Sequence, residues 1–104
     1  MNTHDIIDLP RRIVCAANRD KSGAVILGAR HWDQMMHAAF AIWREAKNHV
    51  TRDMRFTEQG FIDQYGTFLN RQEAWKVAEA AGQIIRRVGG DTEDGGTLYS
   101  ENLY

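Results

Sequence analysis

Two small groups built around arginine are the residues of this chain best suited to chemistry, and the chemistry they suit is the holding of an anion. Arg30 and His31 close the run Gly28-Ala29-Arg30-His31, just ahead of a long amphipathic stretch. Asn70 and Arg71 stand at the head of a second such stretch, and Arg86 and Arg87 follow near its far end. The start of a helix exposes N–H groups without intrahelical partners and the positive end of the helix dipole, so both places favour a negatively charged ligand. Phe61 and Phe68 lie between the two groups, on opposite arms of a predicted hairpin. Either ring offers a face on which a nucleobase could stack, an interaction of roughly 1–3 kcal/mol. The same residues have plainer readings: the phenylalanines as core, Asn70 as a helix cap, Arg71 as a surface residue. The chain holds ten Arg against three Lys. The planar guanidinium fork suits phosphate and carboxylate, although codon bias alone would also produce such a ratio.

Catalytic and metal patterns are weak by comparison. His4, His31, His37 and His49 form neither HExxH nor any paired Cys/His spacing. There is no GxSxG, and Cys15 lies in the apolar run Ile13-Val14-Cys15-Ala16-Ala17, where an inert buried thiol is expected. No Walker or Rossmann glycine loop is present, and residues 89–96, with four Gly and three acids, would repel phosphate. The expectation is therefore a protein with no catalytic residue, no metal and no cofactor. The enzymatic rival is a nucleotide hydrolase with His31 as general base beside an acid such as Asp63.

The elements that must position these residues follow from local signals. Residues 12–17 and 24–27 read as strands of an antiparallel hairpin joined by a polar turn. A helix is predicted from Asp33, as N-cap, to about residue 48. Trp32, Met36, Ala39, Trp43, Ala46 and Val50 form its apolar stripe, and Phe40 and Ile42 widen it. That much apolar surface suggests burial against the sheet and against a second subunit. Residues 51–58 read as a polar connector. A second hairpin turns at Gln64-Tyr65-Gly66, with Gly66 left-handed. Asn70 and Glu73 have capping-box spacing, and Gly82 is placed to end the second helix. Residues 84–88 read equally as strand or helix end, residues 89–96 as a flexible surface loop, and residues 97–104 as an extended tail that docks through Leu98, Tyr99, Leu103 and Tyr104. The order ββαββα gives an α+β fold: two hairpins in an antiparallel sheet, one long helix and one shorter. Residues 1–10 form a flexible arm and residues 11–104 a single domain.

Composition narrows the partners. At 104 residues the chain is long enough for one domain with a modest core. A net charge of −1 argues against binding polymeric DNA or RNA. No apolar run is long enough for a membrane helix and no signal peptide is seen, while the lone Cys fits a reducing cytosol.

Three stretches carry a resemblance: GARH ahead of a helix, GFIDQYGTFLNRQEAWKVAEAAGQ, and the closing LYSENLY. Together they resemble a family of small phage-encoded proteins similar to the Thoeris anti-defence sponges of the first described type. The similarity spans roughly residues 12–104. It implies a protein without catalytic activity that binds an immune signalling nucleotide, such as a cyclic ADP-ribose isomer or a cyclic oligonucleotide, in the host cytoplasm. It implies a homodimer or higher homo-oligomer. By motif it places ligand contacts on Arg30, Phe61 and Asn70, with a later one on Arg86 or Arg87. Arg71 and His31 join them from the residue reading. The alternative is an inhibitor that binds a host defence or regulatory protein.

Overall fold

Every strand here is short, and the turn chemistry between strands sets their register. The computed structural model describes residues 10–47 and 56–104. β1 (Ile13–Arg19) and β2 (Val25–Gly28) flank a turn closed by Asp20, whose carboxylate accepts from Ser22 N at 3.0 Å, Ser22 Oγ at 2.7 Å and Ala24 N at 2.8 Å. Gly23 takes φ +92° there, a left-handed value that costs glycine least. β1 runs two residues beyond the expected end because Asn18 and Arg19 pair with Ile26 and Val25 on one side and Gln59 and Glu58 on the other. β3 (Glu58–Asp63) and β4 (Phe68–Asn70) form the second hairpin, with Gly66 at φ +77° as expected. The four strands lie in the antiparallel order β2-β1-β3-β4. With the two α-helices among the described residues this is the α+β fold expected.

Asp63 serves the second turn as Asp20 serves the first. Its carboxylate accepts from Tyr65 N and Thr67 N, each at 2.9 Å, and pairs with Arg11 at 2.8 Å. Burial pushes the Asp63 carboxyl up, yet the Thr67 N–H, Arg11 and the Tyr65 N–H together hold it below its ordinary value.

One face of the sheet carries the core. Ala16 pairs with Phe61, and Phe61 with Leu69, so all three point the same way. Ile26, Met36, Phe56, Ala74, Trp75, Ala78 and Leu98 complete the cluster. α1 (Gln34–Lys47) packs along β2 through Met36, which is fully buried, and through the half-buried Phe40 and Trp43. Phe56 meets both of those rings edge-on, at 5.8 and 4.9 Å between centroids. Ile42 does not widen this stripe as expected; it is 70% exposed on another side of the helix. Trp32 also falls outside the helix, in the preceding turn at φ +54°. The expected arm at residues 1–10 (Pro10 excepted), His4, His49, Val50 and most of the connector at 51–58 lie outside the described residues.

α2 (Arg71–Ala80) begins and ends as its sequence dictates. Asn70 Oδ1 accepts from Glu73 N at 2.8 Å while Glu73 Oε1 accepts from Asn70 N at 2.9 Å, a complete capping box. At the other end Gly82, at φ +68°, donates to Glu79 O, and Gln83 N donates to Ala78 O, the paired bonds of a Schellman turn. Gln83 then reaches across to β1: its side-chain amide accepts from Ile13 N at 2.8 Å and donates to Ile13 O at 2.9 Å. It acts as a one-residue strand partner where β1 is irregular, between Ile13 and Cys15.

Residues 84–88 are neither strand nor helix. Two expectations beyond them need correction. Residues 89–96 are not a loose surface loop, because Asp91 turns inward and organises them. Its carboxylate accepts the Arg87 fork through two bonds of 2.8 Å, Val88 N at 2.9 Å and Asn102 Nδ2 at 3.1 Å. The tail is not extended throughout. It docks, with Leu98 and Asn102 fully buried, but curls into a 3₁₀ turn at Ser100–Asn102 so that Asn102 Oδ1 can accept from Tyr99 N at 2.9 Å.

Candidate anion-binding cluster

The nominated residues divide into three sets, and only one of them forms a cluster. The first begins in the turn between β2 and α1. Asp33 caps α1 as expected, with Oδ1 accepting from Met36 N at 2.9 Å, but Oδ2 also reaches back to Arg30 N at 3.1 Å. The Met36 N–H is the main reason the Asp33 carboxyl lies below its ordinary value; burial opposes, and further turn N–H groups add to the lowering. Gly28 is required here, since a Cβ on it would meet Asp33 Cγ at 2.9 Å. The turn throws Arg30 and His31 toward α2 and the tail.

His31 is half-buried. Its Nε2 lies 2.6 Å from Gly60 O, and a carbonyl can only accept, so Nε2 carries the proton and Nδ1 presents a lone pair. That lone pair faces Arg71 Nη2 and Ser100 Oγ, each at 3.4 Å. The Arg71 guanidinium donates to Leu98 O at 2.6 Å and Gln59 Oε1 at 2.5 Å, and sits 4.8 Å from the centre of the Tyr99 ring. Among the described residues Arg71 forms no ion pair. Burial pulls its pKa down, with Tyr99 and Glu101 opposing, but an arginine keeps its charge. Arg30 lies alongside, bonded to Glu101 Oε1 at 3.1 Å and Tyr104 O at 2.6 Å, with the Tyr104 ring 5.2 Å away. Arg30, His31 and Arg71 thus come together under a rim of Tyr99, Glu101 and Tyr104.

The second set fails to join it as expected. Phe61 sits directly beneath His31, edge to face at 4.9 Å, but it is fully buried. It cannot stack a base in this conformation, because its register with Ala16 and Leu69 turns it into the core. Asn70 is consumed by its capping box. Both helix N-termini, expected to be open to an anion, are already filled, one by the Asp33 carboxylate and one by Asn70 with Glu73. Phe68 is half-exposed on the opposite sheet face, with the Arg19 guanidinium 4.3 Å over its ring.

The third set stands apart. Arg87 is spent on Asp91 and lies over Trp75, and Arg86, exposed, offers its backbone carbonyl to Asn102 Nδ2 at 3.0 Å. Neither shares a partner with Arg30, His31 or Arg71. Asp63 and His31 likewise have separate partners and form no acid–base pair. Two clefts, of roughly 450 and 540 Å³, open near the end of α2, lined among others by Arg12, Gln83 and Tyr104 and by Pro10, Arg11 and Gln64 respectively; no nominated residue lines them. Cys15 is half-buried, and burial, then Asp33, push its thiol up against the pull of the Gly28 N–H, which leaves it a poor nucleophile.

Gln59, Tyr99, Ser100, Glu101 and Tyr104 were missed as site residues. The closing LYSENLY was the available signal, since a tail that docks brings its polar residues along. For Asp91 it was the (i, i+4) spacing from Arg87.

His31 carries a testable pH dependence. Burial, the largest influence, and Arg71 lower its pKa, while the Gly60 carbonyl, Glu101 and Asp33 resist. A lowered folded-state pKa means that the unfolded chain takes up the proton first, near about pH 6.5. The contribution of His31 is therefore fully present above that pH and is lost as pH falls below it toward the folded-state value. The urea midpoint should drop between pH 7.5 and 5.5, and the His31→Gln variant should show a shallower drop. An equal pH slope in the two proteins would refute the assignment.

The fold and the cluster define a small α+β protein with a cationic, tail-covered patch. The sequence profile of the family described as "Phage T4 y16D protein" matches residues 12–104, and the chain belongs to that phage protein family. No curated protein and no solved structure matches it. The family match names phage T4 and not a Thoeris sponge. Among the described residues no helix is long and apolar enough to cross a membrane.

Proposed function

We propose that this phage protein binds and sequesters a small phosphorylated signalling nucleotide without chemical turnover, at Arg30, His31 and Arg71. The observation that carries the reading is Arg71: a half-buried cation whose hydrogen bonds, among the described residues, go to the neutral acceptors Leu98 O, Gln59 Oε1 and His31 Nδ1, while the Glu101 carboxylate acts on it only from a distance. A half-buried charge without a direct ion pair favours an anion that arrives from outside. Arg30 adds a second guanidinium, and its partner Glu101 is an exposed carboxylate that a phosphate can displace at little cost. Tyr104, beside Arg30, takes the stacking role expected of Phe61.

The resemblance to Thoeris sponges supplies the ligand class, a cyclic ADP-ribose isomer or a cyclic oligonucleotide, and the setting, the host cytoplasm. On this reading the partner is a small molecule, and neither a nucleic-acid polymer nor a membrane. Calorimetry with a panel of such nucleotides tests it. Binding by at least one of them is expected, with affinity falling at least about tenfold in Arg30→Ala if a charge-assisted contact worth about 1.5–3 kcal/mol is lost. Denaturing the complex should return the nucleotide intact. No heat with any of the panel, or recovery of a cleaved product, would overturn the proposal.

A further inference from the structure

A cleft separates the opening of β1 from the end of α2, and two local features hold it open. β1 is irregular between Ile13 and Cys15, which leaves Val14 52% exposed, and the Gln83 amide spans from the end of α2 to Ile13. Irregular strand positions of this kind are common beside binding sites, where they re-aim side chains. Gly82 ends α2 without a side chain, and a Cβ on it would meet nothing within 4 Å. The cleft encloses roughly 450 Å³, within the range of small-ligand sites.

Its walls suit a flat, partly apolar group that carries negative charge. Val14, Ala81 and Leu103 supply apolar surface, Tyr104 an aromatic ring, and Arg12 a guanidinium. Arg12 differs from its neighbour in one respect. The Arg11 guanidinium is paired with Asp63 at 2.8 Å, whereas that of Arg12 has no hydrogen-bond or ion-pair partner among the described residues; only its backbone N–H is engaged, by Gln64 Oε1 at 2.8 Å.

The cleft adjoins the cluster of Arg30, His31 and Arg71. Tyr104 is the wall they share: it lines the cleft, its ring lies 5.2 Å from the Arg30 guanidinium, and its backbone carbonyl accepts from Arg30 at 2.6 Å. The strand register agrees. β1 pairs Ala16 with Gly28, and that antiparallel register, carried two residues further, sets Val14 beside Arg30. A ligand whose phosphate is held at Arg30 thus has a recess beside Tyr104 for its remaining part, with a second guanidinium on the wall.

We infer that this cleft is the nucleoside subsite of the sequestering site. The base and ribose lie against Tyr104, Val14 and Leu103, and Arg12 holds a second anionic group of the same molecule. The inference rests on the nucleotide reading and deepens it, since it names the part of the site that tells a nucleotide from a bare phosphate. Guanidinium groups at two points around one ring favour a nucleotide with more than one phosphate over a mononucleotide.

NMR and calorimetry on the full chain test it with cyclic ADP-ribose and cyclic di-AMP as nucleotides and inorganic pyrophosphate as the probe that lacks a nucleoside. The Val14 and Gly82 amides report on the cleft, and the His31 and Ser100 amides on the cluster. A nucleotide that binds should shift both sets, and pyrophosphate only the second. Arg12→Gln should weaken that nucleotide at least about fivefold, a modest effect because the contact is partly solvated. Its urea midpoint and its affinity for pyrophosphate should not change. Arg12→Lys should recover part of the loss, because a point charge keeps the attraction without the fork. Val14 and Gly82 amides unmoved at saturation, or nucleotide binding unchanged in Arg12→Gln, overturns the subsite and leaves sequestration at the cluster standing. Pyrophosphate that shifts Val14 and Gly82 as the nucleotide does makes the cleft an anion site alone and overturns it too. A wild type that binds neither nucleotide overturns the subsite, whatever the cluster does with pyrophosphate.

Discussion

Gly96→Ala is expected to cost the protein a large part of its stability. Gly96 adopts φ +125° and ψ 130°, a conformation that an L side chain rarely enters. A Cβ there would press into the Trp75 indole, 2.5 Å from both Cγ and Nε1. Neither side can yield cheaply. Trp75 is buried in α2 with the Arg87 guanidinium over its ring, and the next residues, Thr97 and Leu98, are tied by backbone bonds to Asp91 O and Arg71 O at 2.9 and 3.0 Å. Backbone strain and overpacking, each about 1–3 kcal/mol, act at one site. A combined loss of about 2–6 kcal/mol compares with a stability that for this length is about 5–15 kcal/mol. Urea denaturation followed by tryptophan fluorescence reads this directly. Gly23→Ala is the control: its φ of +92° is also left-handed, but nothing lies within 4 Å of the added methyl, so only the backbone cost of about 1 kcal/mol applies. Equal midpoints for the two variants would show that Gly96 does not touch Trp75.

Phe61→Ala should cost about 3–5 kcal/mol whether or not a nucleotide is present. The ring is fully buried, meets His31 at 4.9 Å and lies 6.0 Å from the Arg71 guanidinium, so its loss opens a cavity under both. Lost ligand binding in this variant would report a damaged fold and nothing about stacking. Phe61→Leu separates the two, because it keeps most of the buried volume and none of the aromatic face. It should remain folded and bind as the wild type does. A Phe61→Ala protein with an unchanged urea midpoint would contradict the buried placement. A folded Phe61→Leu protein that no longer binds would restore Phe61 as the stacking ring.

Signals confined to a few neighbouring residues were legible in the sequence. Gly66 fixed its turn, Asn70 with Glu73 fixed the start of α2, and Gly82 fixed its end, because each depends on backbone conformation and bonds within about four residues. Asp33 was legible as a cap for the same reason. What Asp33 does beyond the cap was not: its second oxygen folds the preceding turn onto itself, which no spacing announces. Phe61 and Phe68 show the limit most plainly. They sit seven residues apart on two arms of one hairpin, and only the pairing register, Phe61 with Leu69 and Ile62 with Phe68, decides which ring enters the core. Asp91 escaped because composition averages over a segment. Three acids among four glycines read as solvent-facing, yet one carboxylate turned inward converts the run into a fixed corner. The cluster itself was half legible: Arg30, His31 and Arg71 were found, and the tail residues that cover them were known only to dock.

The Gln83 amide that clasps Ile13 and the tail acceptors that clasp Arg30 join residues 70, 71 and 74 positions apart. β1 and β2 can pair as soon as both are made, but these three bonds join residues separated by most of the domain. Completing the fold therefore includes closure of one long loop, which should make it slower than that of a helical bundle of equal size.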